Sequence, residues 1–180
     1  MRAMQSVERQ LPQEDVPASV DTVEAFRLAM RGFASTVTLV TACDAAGKWH
    51  GMAATAFSSV SMEPATCLIC VNRSASIHET LLKEQRFCVN LMHQQNREAL
   101  LAYTKPEFRG RRFTEAGWRL GPNGAPYQTR AQANIFCNML SVTSVGSHDI
   151  VLAEVSDVVN GGDVDPLVYY EGAYRRTLAV

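Results

Sequence analysis

The chain lacks any excess of charge. Seventeen basic residues stand against eighteen acidic ones, for a net charge of −1, so nothing in the balance draws it to nucleic acid or to a membrane surface. No apolar run approaches the roughly 18–20 residues that span a bilayer. The first twenty residues, MRAMQSVERQLPQEDVPASV, mix charge, Gln and Pro without an apolar stretch. They read as a mobile N-terminal tail over 1–20, not as a secretory leader. Cysteine is scarce, with five scattered residues. An odd, unpatterned set points to free thiols in a reducing, cytoplasmic setting. No G-x-G-x-x-G occurs, so any nucleotide site is not of Rossmann type. There is no internal repeat and no low-complexity segment.

Two groups that could suggest a metal do not carry it. Cys67 and Cys70 form a C-x-x-C, but inside TCLICV, which reads as a strand. Side chains three apart on a strand leave opposite faces, so a shared metal or a disulfide is not expected. Cys88 and Cys137 read as small core residues. His50, His78 and His93 fall on different elements, which is no metal constellation.

What is present fits one domain, over 21–180. The chain has 180 residues and a hydrophobic share of 47%, enough for a real core. Asp21 with Glu24 predicts a helix cap and its box partner. Phe26, Ala29, Met30 and Phe33 then form one apolar helical face, and Gly32 ends it. Residues 35–43 read as a β-branched strand, 44–48 as a turn and 49–61 as one further strand with small residues. Pro64 marks a turn before a strand at 66–72 that is apolar on both faces. Ser76 with Glu79 predicts a second capping box and a helix to about Glu84. A strand at 87–91, a weaker helix at 94–103 and a long irregular excursion at 104–130 follow. Residues 133–145 and 148–159 alternate on either side of Gly146-Ser147, which predicts a hairpin. Two short strands at 167–170 and 173–178 close the list, for about seven strands and three helices. Helices do not alternate with strands, so the expected class is mainly β, an antiparallel barrel with a few flanking helices.

The stretch 51–76, GMAATAFSSVSMEPATCLICVNRSAS, carries the chemistry. Small side chains at Ala53, Ala54 and Ala56 leave room for a flat ligand against the backbone. A polar elbow follows, offering amides, hydroxyls and one guanidinium at a helix start, which suits a phosphate. A phosphate-bearing planar cofactor fits both features, and flavin fits best. Ser58 and Ser59 read equally well as outward residues of a half-exposed strand.

FRLAMRGFASTVTLVTA, HGMAATAFSSVSMEPATCLICVNRSAS, RFCVNLM, VGSHDIVLAEV and PLVYYEGAYRR occur in that order. With these segments the chain resembles the short-chain flavin reductases, the reductase components of two-component flavin monooxygenases such as the 4-hydroxyphenylacetate hydroxylase reductases. The resemblance covers about residues 24–178. It implies an FMN-binding split β-barrel, a homodimer, and reduction of FMN or FAD by NADH or NADPH for a partner monooxygenase. It places Gly51, Met52, Ala53, Thr55 and Ala56 along the isoalloxazine. It places Asn72, Arg73, Ser74, Ser76 and Ile77 at the phosphate, and Phe87 beside the same site through its backbone. Gly146, His148 and Tyr174 would meet the nicotinamide, with Arg175 a weaker candidate. Ser147 stands where the family often has Asp. Hydride transfer needs alignment more than an acid or base, so no residue is assigned a catalytic proton. Arg109, Arg111 and Arg112 are expected to form a solvated basic loop, with contact to a 2′-phosphate the alternative. The apolar strands 66–71 and 87–91 offer more surface than one small barrel needs, which agrees with a homodimer. The rival reading is a non-enzymatic flavin-binding electron carrier on the same barrel, which would need no His148 pocket. A pyridoxamine-phosphate oxidase relative would need a basic substrate-phosphate cluster, which is not found.

Overall fold

A computed structural model describes residues 21–177; the tail expected over 1–20 lies outside them. The elements are α1 (Thr22–Arg31), β1 (Ser35–Thr36), β2 (Thr38–Cys43), β3 (Trp49–Ala54), β4 (Phe57–Met62), β5 (Ala65–Asn72), α2 (His78–Glu84), β6 (Arg86–Leu91), α3 (Leu101–Thr104), β7 (Trp118–Leu120), β8 (Pro126–Gln128), β9 (Ala133–Val145), β10 (His148–Asn160), β11 (Leu167–Tyr170) and β12 (Ala173–Arg176). Short 3-10 turns lie at Gln94–Asn96 and Pro106–Arg111. No helix among the described residues is long and apolar enough to cross a membrane.

Seven strands make the main sheet, in the order β3-β2-β6-β9-β10-β5-β4. All of its pairings are antiparallel. The two edge strands, β3 and β4, are consecutive in the chain, with only Thr55 and Ala56 between them. The sheet therefore curls until its edges meet covalently, yet no ladder joins them. This is a mainly β split barrel with flanking helices. The single strand expected over 49–61 is corrected here. It is two strands on opposite sides of the split, and the break falls in the run of small residues, where no bulky side chain holds a pleat.

The barrel interior is one apolar cluster: Val40, Ala42, Cys67, Ile69, Val71, Phe87, Val89, Cys137, Val151 and Ala153, plugged by Ile77 and Leu81. Alternation sends Cys67 inward and leaves Cys70 half-buried, as period two requires. The Cys67 sulfur meets that of Cys137 at 3.6 Å inside the barrel. On the outer face Val37, Leu39, Met92, Leu100 and Leu167 form a second cluster under a small sheet, β1-β11-β12.

Several local expectations change. Asp21 caps α1 by accepting from the Val23 amide at 3.1 Å, but Glu24 pairs with Arg27 at 2.7 Å instead of closing a box. The helix expected from Ser76 begins at His78 with no side-chain cap: the Ser76 hydroxyl accepts from Arg112 at 3.3 Å, and Glu79 bonds Lys83 one turn on, at 2.7 Å. The helix expected over 94–103 is a 3-10 turn and the single turn α3. The excursion over 104–130 contains the second 3-10 turn and the β7–β8 hairpin. Strands 66–71 and 87–91 bury Cys67, Ile69, Val71, Phe87 and Val89 inside this chain's own barrel, while Leu68, Cys70 and Leu91 are half-buried. The uncovered apolar surface lies elsewhere. No residue of α1 is buried, and Val23, Phe26 and Phe33 are 73%, 66% and 63% exposed.

Candidate active site

The break between β3 and β4 opens into a cavity of about 990 Å³. Met52, Ala53, Ala54, Thr55 and Ala56 form one wall. Cys70, Asn72 and His148 form another, and Tyr169, Gly172, Ala173 and Tyr174 come from the small sheet. Asn72 and His148 are brought together because β5 and β10 pair them directly in register. Arg97, Glu98, Leu101, Thr104 and Lys105 line it from the segment around α3, and Val37 completes the lining.

Of the residues singled out in the sequence, Met52, Ala53, Thr55, Ala56, Asn72, His148 and Tyr174 meet at this cavity. The others are placed differently. Gly51 is buried under the aromatic cluster: a Cβ there would stand 2.6 Å from Tyr103 Cε1 and 3.1 Å from Phe113 Cζ. Its missing side chain makes room for Tyr103. Phe87 and Ile77 are fully buried core residues, and the Phe87 carbonyl accepts from Asn123 at 3.1 Å. Gly146 takes φ 55 in the two-residue β9–β10 turn, a conformation that glycine adopts without strain.

The elbow after β5 is largely committed within the fold. The Ser74 amide and hydroxyl donate to Asn72 Oδ1 at 2.9 and 2.8 Å. The Ala75 amide donates to the Asn72 carbonyl at 2.9 Å. The Arg73 amide donates to the Ser147 carbonyl at 3.0 Å, and its guanidinium donates to the Gly146 carbonyl. Arg73 therefore ties the elbow to the hairpin turn. The cation that stands at Ser76 is Arg112, which donates to Ser76 Oγ at 3.3 Å and to the Ala102 carbonyl at 3.0 Å. Its guanidinium lies 5.2 Å over the Tyr103 ring. Partial burial, then the nearby Arg109, lowers its pKa from the usual arginine value.

The hairpin turn is also anchored from α2. His78 Nε2 lies 2.6 Å from Asp149 Oδ2, and Ser144 Oγ donates to Asp149 Oδ1 at 2.7 Å. The hydrogen bond to His78, then that from Ser144, holds the Asp149 carboxyl below the usual carboxylate range. A depressed carboxyl stabilises the fold above its unfolded value of about 3.9, and the contribution is lost only as pH falls through the lower folded value. The anchor is therefore complete at neutral pH. Among the described residues, the His148 ring bonds Ser147 alone, Nδ1 to Oγ at 2.9 Å, which orients it.

Sequence reading missed Arg97 and Lys105, two cations of the cavity wall. With Leu101 and Thr104 they recur at i, i+4, i+7 and i+8, the spacing of one helical face. The first two lie within the helix expected over 94–103 and the last two just beyond its end.

The Flavin reductase like domain family matches residues 30–178. The chain belongs to this family. A flavin reductase-like chain is an oxidoreductase by class, and its relatives agree. The FMN reductase (NADH) RutF of Pseudomonas syringae pv. syringae is 34% identical over 161 residues, covering 89% of this chain and 90% of the relative. The reductase component of the FADH(2)-dependent resorcinol hydroxylase of Rhizobium sp. is 35% identical over 153 residues, covering 83% and 84%. Among solved structures, the NADH:FAD oxidoreductase SgcE6 of Streptomyces globisporus C-1027 superposes with a TM-score of 0.78 at 28% identity, covering 94% of this chain and 97% of that one.

Proposed function

We propose that this flavin reductase-like chain reduces FMN or FAD with NADH or NADPH and releases the reduced flavin to a partner oxygenase. One observation carries the reading: the cavity holds about 990 Å³, at the upper end of the ~300–1,000 Å³ of ligand pockets. That volume suits two stacked ring systems, whereas a carrier needs one. The residues fit a flavin. Ala53, Ala54 and Ala56 would let a planar ring lie against the strand, and Arg97 and Lys105 of the cavity wall would supply cations for phosphate groups. A bound flavin supplies the two-electron chemistry, accepting hydride from the nicotinamide. The chain's own contribution is alignment and exclusion of water. Met52–Ala56 set one plane, while His148 and Tyr174 border the space beside it. The names of the relatives in Pseudomonas and Rhizobium favour NADH as donor and an oxygenase as recipient. A reducing cytoplasm suits the five free thiols.

Anaerobic stopped-flow reduction tests the reading. NADH is expected to bleach FMN or FAD in the presence of the protein. His148→Ala is expected to slow that reduction or raise KM for the nucleotide, by the equivalent of about 1–3 kcal/mol. Flavin that binds but is never bleached by either nucleotide would instead favour the carrier.

The homodimer belongs to the same reading. The apolar face of α1 is exposed along its length, and Leu140, Val142 and Val145 of β9 are exposed as well. Apolar surface of this extent is characteristic of an interface, and a second copy would cover it. Light scattering at low micromolar concentration is expected to give twice the chain mass. Phe26→Glu with Phe33→Glu is expected to halve that mass; a monomeric unmodified protein would refute the assignment.

A further inference from the structure

We propose that His78 and Asp149 act as a positioning pair, locking the elbow after β5 to the β9–β10 turn and so setting where His148 stands at the cavity. The function of this pair rests on the flavin reductase reading. Four consecutive residues form the turn and the start of β10, and three of them are held from the elbow side. Gly146 and Ser147 are held through their carbonyls by Arg73. Asp149 is held by His78 at 2.6 Å. His148, paired through its backbone with Val145 and Asn72, is the one whose side chain is not clasped from the elbow side and lines the cavity.

The chemistry of the clasp is directional. Asp149 is only 3% exposed, and each carboxylate oxygen has its own partner, His78 on Oδ2 and Ser144 on Oδ1. Successive strand residues face opposite ways, so a carboxylate fixed on one side of β10 steadies the backbone from which the neighbouring imidazole projects on the other. His78 opens α2, which is buried through Thr80 and Leu81; the anchor is thus tied to the core and not to a loose loop. Without the His78 hydrogen bond, the ladders to Val145 and Asn72 would still hold the His148 backbone, but Asp149 beside it would lose one of its two side-chain restraints.

The test compares His78→Leu with His78→Gln. The Gln side chain can place an amide N–H where the imidazole Nε2 stands and so donate to Asp149; Leu cannot. In stopped-flow reduction, His78→Leu is expected to lower the rate at saturating NADH tenfold or more and to raise KM for NADH. Affinity for oxidised flavin should change less than threefold, and His78→Gln should return the rate to within threefold of the unmodified protein. A second readout needs no turnover. The His148 ring resonances of the protein without nucleotide should broaden or shift in His78→Leu and return in His78→Gln. Wild-type reduction kinetics in His78→Leu, or equal loss in both variants, would overturn the proposal, as would an unmoved His148 resonance. Absence of flavin reduction by the unmodified protein would refute the function instead, and the His148 resonances would still decide whether the clasp exists.

Discussion

An Ala56→Trp variant is expected to fold normally and to lose flavin affinity by about a hundredfold, roughly 2.7 kcal/mol. Ala56 is exposed and stands in the break between β3 and β4, where it lines the cavity. Its carbonyl accepts from the Cys70 amide at 3.1 Å, a bond that any side chain at this position leaves intact. An indole there fills the space against the strand that a planar ring would use. Being a surface change, it should alter stability by no more than about 0.5 kcal/mol. Fluorescence quenching titrations measure the first effect and thermal unfolding the second. Unchanged affinity for both FMN and FAD would remove the ligand from this cavity.

The second large effect is on stability. Gly51→Val is expected to destabilise the protein by about 1–3 kcal/mol, the usual range for overpacking a filled site. The added carbon would stand 2.6 Å from Tyr103 Cε1. Tyr103 cannot move without cost, because its hydroxyl accepts from the Phe113 amide at 3.2 Å. Phe113 in turn packs edge-on against Trp118, with centroids 4.7 Å apart, and against Trp49 at 5.6 Å. Burial of the Tyr103 phenol raises its pKa from the usual value, so it stays neutral in this setting. The loss should lower Tm by several degrees. It should also weaken flavin binding, since α3 carries both Tyr103 and the cavity residues Leu101 and Thr104. A Gly51→Val protein with unchanged Tm would show that Tyr103 can be displaced freely.

Much of this architecture could be read from the chain. Strict alternation made β9 and β10 visible almost to the residue, and the Gly146-Ser147 pair marked their turn. Small residues and the ordered family segments pointed to Met52–Ala56, Asn72 and His148, which the structure gathers at one cavity. Harder to read were the contacts between distant segments. Nothing local says that Gly51 faces Tyr103, fifty-two residues on, or that Arg73 is committed to the Gly146 carbonyl while Arg112 takes its place at Ser76. The missed break at Thr55-Ala56 has a different origin. The run of small residues Ala53–Ala56 carries no Gly or Pro to mark a turn, and only the curling of the whole sheet decides that the two halves part there. The lost capping box at Ser76 shows a third limit: a Ser-x-x-Glu spacing predicts a cap only when no other partner competes, and here Arg112 takes the Ser76 hydroxyl while Lys83 takes Glu79.

The missing ladder between β3 and β4 bears on how the protein opens. A closed barrel admits a ligand to its wall only by breaking strand pairing, and each broken pairing slows the event. Here the edges are parted already, so widening the gap between them breaks no backbone hydrogen bond of the sheet. Amide exchange should therefore divide the barrel into two regimes. Inner strands β6, β9 and β10 should exchange only on global unfolding, while amides on the open sides of β3 and β4 should exchange orders of magnitude sooner. A ligand lodged in the gap would then slow those fast amides selectively, giving its residence there a signature that needs no catalytic turnover.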